Sequence, residues 1–455
     1  MPALPASADR PSLSEARPAV TVVPTGALHE VPLDDLFFST TDAKGVIDEA
    51  NEVFTRNARY TREQLIGAPH NIIRHPDMPG GVFRIMWDQL EAGTPVCAYV
   101  LNLAGDGSAY WAFATVVPIG ERYLSVRARP CNLEARDLLH GLYTDVRAQE
   151  LKARETGASA ADAALLGREL LGAALEANGF GSYAELQLDL VPAEVAARDA
   201  AGPSLPSLDE GSQTLRTMVG TAGDARAILG TFSDDLTASL TDADALARDL
   251  RRCRGALANL DDVGRDLGRL GLGVAPSEVT SGISDLQTTV DALSVALTGV
   301  VRTRKQLRLD TAIARLQAEA IARYVVAVAH EVEDPRVSER ALASLTEALL
   351  SILDADLGAD ATASAELGRQ AGAATDALTV LRDRVLGWRA ALASAGGGPA
   401  VLARLVDLDV ALEAVGGLST RIRQHAETVA SATAGLDRDK LAEQLASIVD
   451  LAGTV

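Results

Sequence analysis

The sequence predicts an α+β domain in its N-terminal quarter followed by an all-α bundle or coiled-coil module. Two observations carry this. Between Val31 and Pro130, short β-rich runs such as Val96–Leu103 and Tyr110–Pro118 alternate with turn signals, notably Gly105-Asp106-Gly107, with helical patterning expected between them. Beyond Leu208, apolar residues recur at alternating three- and four-residue steps, as in Ile283, Leu286, Val290, Leu293, Leu297 and Val300.

Composition supports both halves. Hydrophobic residues make up 47% of the 455, enough for more than one core. Aromatics are only 4%, which suits a chain built largely of Ala- and Leu-rich helices. A net charge of −20 disfavours nucleic acid and anionic lipid as partners. Cys97, Cys131 and Cys253 are widely spaced with no CxxC pair, which fits ordinary buried thiols in a reducing cytosol. The six histidines show no paired metal-ligand spacing. No secretory leader pattern opens the sequence, and no apolar run approaches the ~20 residues that a bilayer requires, so a soluble cytoplasmic protein is expected.

The segments follow in order. Residues 1–30, rich in Pro, Ala and Ser, read as a flexible tail, and 31–131 as the compact α+β domain. Residues 132–206 read as a helical connector, with a second short helix ending near Arg198 and a linker at Ala201–Pro206. Residues 207–455 form the helical module, with further seams at Leu378, Leu381, Val385, Trp388 and Leu392, and at Leu405, Leu408, Leu412, Val415, Ile422 and Val429. Gly271-Leu272-Gly273 with Pro276, Pro335, and Gly396-Gly397-Gly398-Pro399 should each interrupt a helix.

The most informative string is Asn71-Ile72-Ile73-Arg74-His75-Pro76-Asp77-Met78-Pro79, followed by Phe83 and Trp87. With Thr40-Thr41-Asp42, Ala50-Asn51 and Phe54 before it, and Asn102, Gly107, Tyr110-Trp111 and Pro118 after it, this stretch resembles the PAS domain of aerotaxis receptors. The resemblance implies a five-stranded antiparallel sheet with flanking helices, holding FAD noncovalently and reading its redox state. It implies cofactor contacts from Arg74, His75, Asp77, Trp87 and Asn102, with Asn51 and Phe83 in support. Val96 stands where flavin-binding relatives usually place a tryptophan. As ordinary structural residues, Phe83 and Trp87 would pack a core and Asp77 would cap a helix.

Leu307–Val332 resembles a diverged hairpin tip of methyl-accepting chemotaxis receptors, through Leu307, Leu309, Ala312, Ile313, Ala318, Arg323, Val328, Ala329, Glu331 and Val332. Ala314, Arg315 and Leu316 depart from the Glu-rich kinase-contacting stretch of that family. The resemblance implies a homodimer and, as partners, the chemotaxis kinase and its coupling protein. His330-Glu331, with Asp334 and Pro335 as the only further echo, resembles a phosphoacceptor box, but no nucleotide-binding or nucleophile-elbow pattern occurs, so no enzymatic activity is expected. The reading is a redox or oxygen sensor feeding a helical output, the alternative being a ligand-free adaptor that dimerises or docks partners.

Overall fold

The computed structural model describes residues 22–204, 206–209, 212–269, 277–395, 399–431 and 436–454. The chain divides into two compact units: one of Met1–Gly230, Leu309–Leu353 and Arg438–Val455, the other of Thr231–Arg308 and Asp354–Asp437.

The first unit contains a five-stranded antiparallel sheet of β1 (Leu36–Thr41), β2 (Ile47–Ala50), β3 (Val96–Leu103), β4 (Ala109–Ile119) and β5 (Arg122–Ala128), in the order β2-β1-β5-β4-β3. Helices α1 (Glu52–Ala58), α2 (Arg62–Leu65) and α3 (Gly80–Glu91), with a 3-10 turn at His70–Ile73, fill the connection from β2 to β3. The turn between β3 and β4 is built as its sequence predicts. Asp106 accepts from the Ser108 amide and hydroxyl, and Gly107 takes φ +85, where a side chain would be strained.

Strand periodicity gives the sheet two faces. Val100, Asn102, Ala114, Val116, Tyr123, Ser125 and Arg127 line a cavity on the α3 side. The opposite face carries Tyr99, Phe113 and Phe38, and there Tyr99 and Phe113 pack with ring centroids 5.2 Å apart. That face is covered by the protein itself. The connector forms α4 (Leu133–Glu155), α5 (Ala160–Ala177) and α6 (Tyr183–Ala201). On α6, Glu194 accepts from the Tyr99 hydroxyl at 2.5 Å and from the amides of Cys131 and Asn132, so it ties the sheet to the segment leading into α4, which Asn132 itself caps. The edge strand β3 is blocked in the same way: Tyr183 donates to the Cys97 carbonyl and Gln187 accepts from the Cys97 amide.

The remaining helices are α7 (Gln213–Arg269), α8 (Ser277–Ala329), α9 (Pro335–Ala395), α10 (Pro399–Ser431) and α11 (Arg438–Ala452). Pro335 and Pro399 begin helices, where a missing N–H costs nothing. Residues 270–276 and 396–398 lie outside the described residues. The segment 307–329 runs as unbroken helix and ends in a turn that begins at His330. The second unit buries the seams: Ile283 to Val300, Leu378 to Leu392, and Leu405, Leu408, Ile422 and Val429 share one apolar core with Leu412 at its margin. The side chain of Val415 lies outside those described. That unit also encloses an Arg304–Asp360 ion pair at 3.3 Å, with Ser364 accepting from the same guanidinium.

Residues 1–21 of the expected tail lie outside the described residues, but Thr25 and His29 donate backbone bonds to Gly107 and Ala109, which joins 25–29 to the sheet domain. In the expected linker, Ser204 is held by Asp34 and Arg323, and Leu205 lies outside the described residues.

Among the described residues, no helix is long and apolar enough to cross a membrane.

Candidate functional site: a cavity between the sheet and helix α3

The cavity follows from how α3 is held. Its first two amides, of Gly80 and Gly81, both donate to the buried Glu150 carboxylate on α4 at 2.8 Å, which offsets the positive end of the helix. A Cβ on Gly81 would lie 2.3 Å from the Gly167 carbonyl carbon, so glycine here lets α3 and α5 approach at backbone distance. Held against α4 and α5, α3 presents Phe83, Met86, Trp87 and Leu90 toward the sheet and leaves about 980 Å³ of space, its open mouth included.

The walls are mostly apolar, and the polar groups gather in two places. Arg74 closes one side: it donates to the Met78 carbonyl at 2.8 Å, and its guanidinium sits 4.2 Å above the Phe83 ring. Burial, then the nearby Arg147, lowers its pKa to about 10 despite Glu150. Arg127, on β5, donates to Ser39 Oγ at 3.2 Å and to His70 Nε2 at 2.7 Å. Burial lowers the Arg127 pKa to about 10, and burial together with Arg127 holds His70 well below its ordinary value. His70 is therefore neutral, with Nε2 as an acceptor. Between these lie Asn102 and Ser125, whose Nδ2 and Oγ are buried without a hydrogen-bond partner. Buried donors left open in a cavity wall are what a polar ligand would satisfy.

Of the residues expected to hold a cofactor, Arg74, Phe83, Trp87 and Asn102 come together on this cavity. Three do not. Asp77 is 79% exposed. His75 is pinned by its own turn, its amide donating to Leu101 and its Nδ1 accepting from the Asp77 amide, and it does not line the cavity. Asn51 is a cap: its Oδ1 accepts from the amides of Phe38 and Phe54, and its Nδ2 donates to Leu36. Those bonds consume its side chain, so its part is to seat α1. Val96 is buried opposite Val116 and is not itself in the lining.

The residues that sequence reasoning missed are His70, Ser125 and Arg127, with Asn71 and Tyr123. The signal for Arg127 was present: a charged residue at an alternate position of a strand whose neighbours Tyr123 and Ser125 share its face.

No protein-family model matches the chain. The aerotaxis receptor of Escherichia coli (strain K12) is 39% identical over 106 residues, 22% of this chain and 21% of that receptor. The chain thus spans about a fifth of the length of that curated relative. Among solved structures, the light-state structure of the blue-light photoreceptor Aureochrome1 LOV is 22% identical, covering 23% of this chain and 89% of that one, with a TM-score of 0.21. The PAS domain of a protein from Colwellia psychrerythraea is 24% identical, covering 21% of this chain and 85% of that one, with a TM-score of 0.18. The strand order, the helices between β2 and β3 and the receptor match agree: the sheet domain is a PAS domain of the aerotaxis-receptor type.

Proposed function

We propose that the chain is a sensory signal transducer whose PAS cavity binds FAD, reads redox state or oxygen through it, and passes that state to a chemotaxis-like helical output in a cytoplasmic homodimer. The observation that carries this is the pairing of aromatic walls with unsatisfied donors, Asn102 Nδ2 and Ser125 Oγ, inside one cavity. A flavin, when bound, supplies reversible electron transfer at a planar ring whose edge is rich in acceptors. Phe83, Trp87 and Tyr123 would cover the ring, Asn102 and Ser125 would donate to its edge, and Arg74 would close the mouth over it.

The route outward runs through the protein's own contacts. Gln89, on α3, accepts from Gln187 of α6, and α6 carries Glu194 and Arg198. Arg198 is paired with Glu319 on α8, the helix that also bears the Ile283–Val300 seam. A change in cavity hydrogen bonding that moves α3 would load this chain of buried polar contacts and favour one helix packing over another. The likeness of Leu307–Val332 to a chemotaxis-receptor tip supports a chemotaxis kinase and coupling protein as the readers, and nothing in the reading requires catalysis by the chain.

Purified protein supplemented with FAD and stripped of excess should show a flavin absorbance spectrum. Reduction should then alter amide exchange in α6 and in 309–329. A protein that stays colourless is an adaptor instead, consistent with Val96 in place of the usual tryptophan. A coloured one with unchanged exchange binds flavin without transmitting its state by this route.

A further inference from the structure

The cavity lining includes three cationic side chains, Lys44, Arg74 and Arg127, and no carboxylate. Lys44 is exposed to water, and Arg74 feels the charge of Glu150. Arg127 has neither relief. Its residue is 5% exposed, its hydrogen-bond partners are the Ser39 hydroxyl and the neutral His70, and its guanidinium lies 5.5 Å from the Phe54 ring centroid. A desolvated cation without a counter-ion is among the more costly groups a fold can hold. The open groups beside it, Asn102 Nδ2 and Ser125 Oγ, can both donate. The interior of the cavity thus offers positive charge and donors, and lacks any negative group.

We infer that Arg127 is the counter-charge of the ligand: the cavity takes its ligand in an anionic or negatively polarised form, and Arg127 is the residue that selects for it. This rests on the reading of the cavity as a ligand site and adds a charge requirement to it. Two opposite consequences follow for one side chain. Without ligand, Arg127 is a liability, and replacing it by a neutral residue relieves the fold. With ligand, the same replacement removes the attraction that distinguishes a more negative ligand from a less negative one. For a redox ligand, Arg127 stabilises the reduced, more negative form over the oxidised one.

The test uses the full chain as wild type, R127Q and R127K, with FAD as the probe, reading melting temperature without flavin, affinity, and midpoint potential. R127Q should melt higher than wild type without flavin. It should also bind FAD at least tenfold more weakly, or lose at least tenfold preference for the reduced form, a fall of about 30 mV for a two-electron couple. R127K should recover most of either loss. The inference is overturned by an R127Q that matches wild type in affinity and potential, or by an R127K as impaired as R127Q, which would make size the requirement. If wild type takes up no flavin, the flavin reading fails by itself. The charge requirement is then read with the anionic dye 8-anilinonaphthalene-1-sulfonate against uncharged N-phenyl-1-naphthylamine. Selective loss of the anionic dye in R127Q supports it, and equal loss or none overturns it.

Discussion

Arg198 and Glu319 stand 121 residues apart in the chain and meet at 2.7 Å, with side chains 2% and 1% exposed. The pair joins the connector helix that covers the PAS sheet to the helix that continues into the second unit. Arg323 shares the same carboxylate, donating at 2.9 Å. Removing Glu319 would leave the buried Arg198 guanidinium uncompensated, whereas Glu319 without Arg198 keeps Arg323. E319A should therefore lower unfolding free energy by ~3–5 kcal/mol, R198A by less, and the apolar double replacement R198M/E319L should cost less than E319A. Urea unfolding of the three proteins decides this, and equal losses would mean that packing, not charge, holds the joint.

The same pair has a pH signature. Burial pushes the Glu319 carboxyl up, but the hydrogen bond and charge of Arg198, with Arg323, outweigh it and leave the group below its ordinary value. Its contribution should be complete above the ordinary Glu value and fade as the medium is acidified through the lower folded value. E319Q should accordingly lose its difference from wild type in acid, as read by melting temperature across pH 3–7.

Glu333 should behave in the opposite sense. It sits in the turn between α8 and α9 and accepts from the Glu52 amide, the first of α1, at 2.5 Å. Burial, then the charges of Glu52 and Glu49, raises its pKa to about 7 against the pull of that amide and Arg62. The folded state binds this proton more tightly than the unfolded one, so the stabilisation is full below the ordinary Glu value and is lost as pH rises through about 7. E333Q, which keeps the acceptor oxygen, should gain on the order of 1–3 kcal/mol over wild type at pH 8 and little at pH 5. A difference that does not change with pH would refute this.

The close approach of α3 and α5 gives a steric prediction. G81A places a methyl group against the Gly167 backbone and should cost ~1–3 kcal/mol. Because Phe83 and Trp87 ride on the same helix, ligand uptake should fall with it. A G81A protein with normal melting and normal uptake would show that α3 does not need this contact.

Much of the fold was legible because its signals are local. Val96–Leu103 is a strand over the residues that its β-rich run marked, and the Tyr110–Pro118 run lies within Ala109–Ile119. The heptad seams became the core of the second unit. At the site, Arg74, Phe83, Trp87 and Asn102 were legible from the resemblance. His75 and Asp77 misled, since the turn at Pro76 directs them away from the cavity although they adjoin Arg74. Arg127 and His70 lie 57 residues apart and meet only in the fold, Arg127 from β5 and His70 from the 3-10 turn that its amide ties to Gly45. The Arg198–Glu319 joint has no local signature at all.

That sorting of the site can be tested residue by residue. N102A and R74A should weaken flavin uptake at least tenfold, whereas D77N, at an exposed position, should change it less than twofold. Flavin fluorescence titration measures each, and a D77N as damaging as R74A would return the turn to the binding site.

The most direct test of the account is the amount of FAD retained per chain after gel filtration, for wild type and for A114F, which fills the cavity from β4. The account predicts close to one flavin per wild-type chain and almost none for a folded A114F. Equal retention by both proteins, or none by wild type, would contradict it.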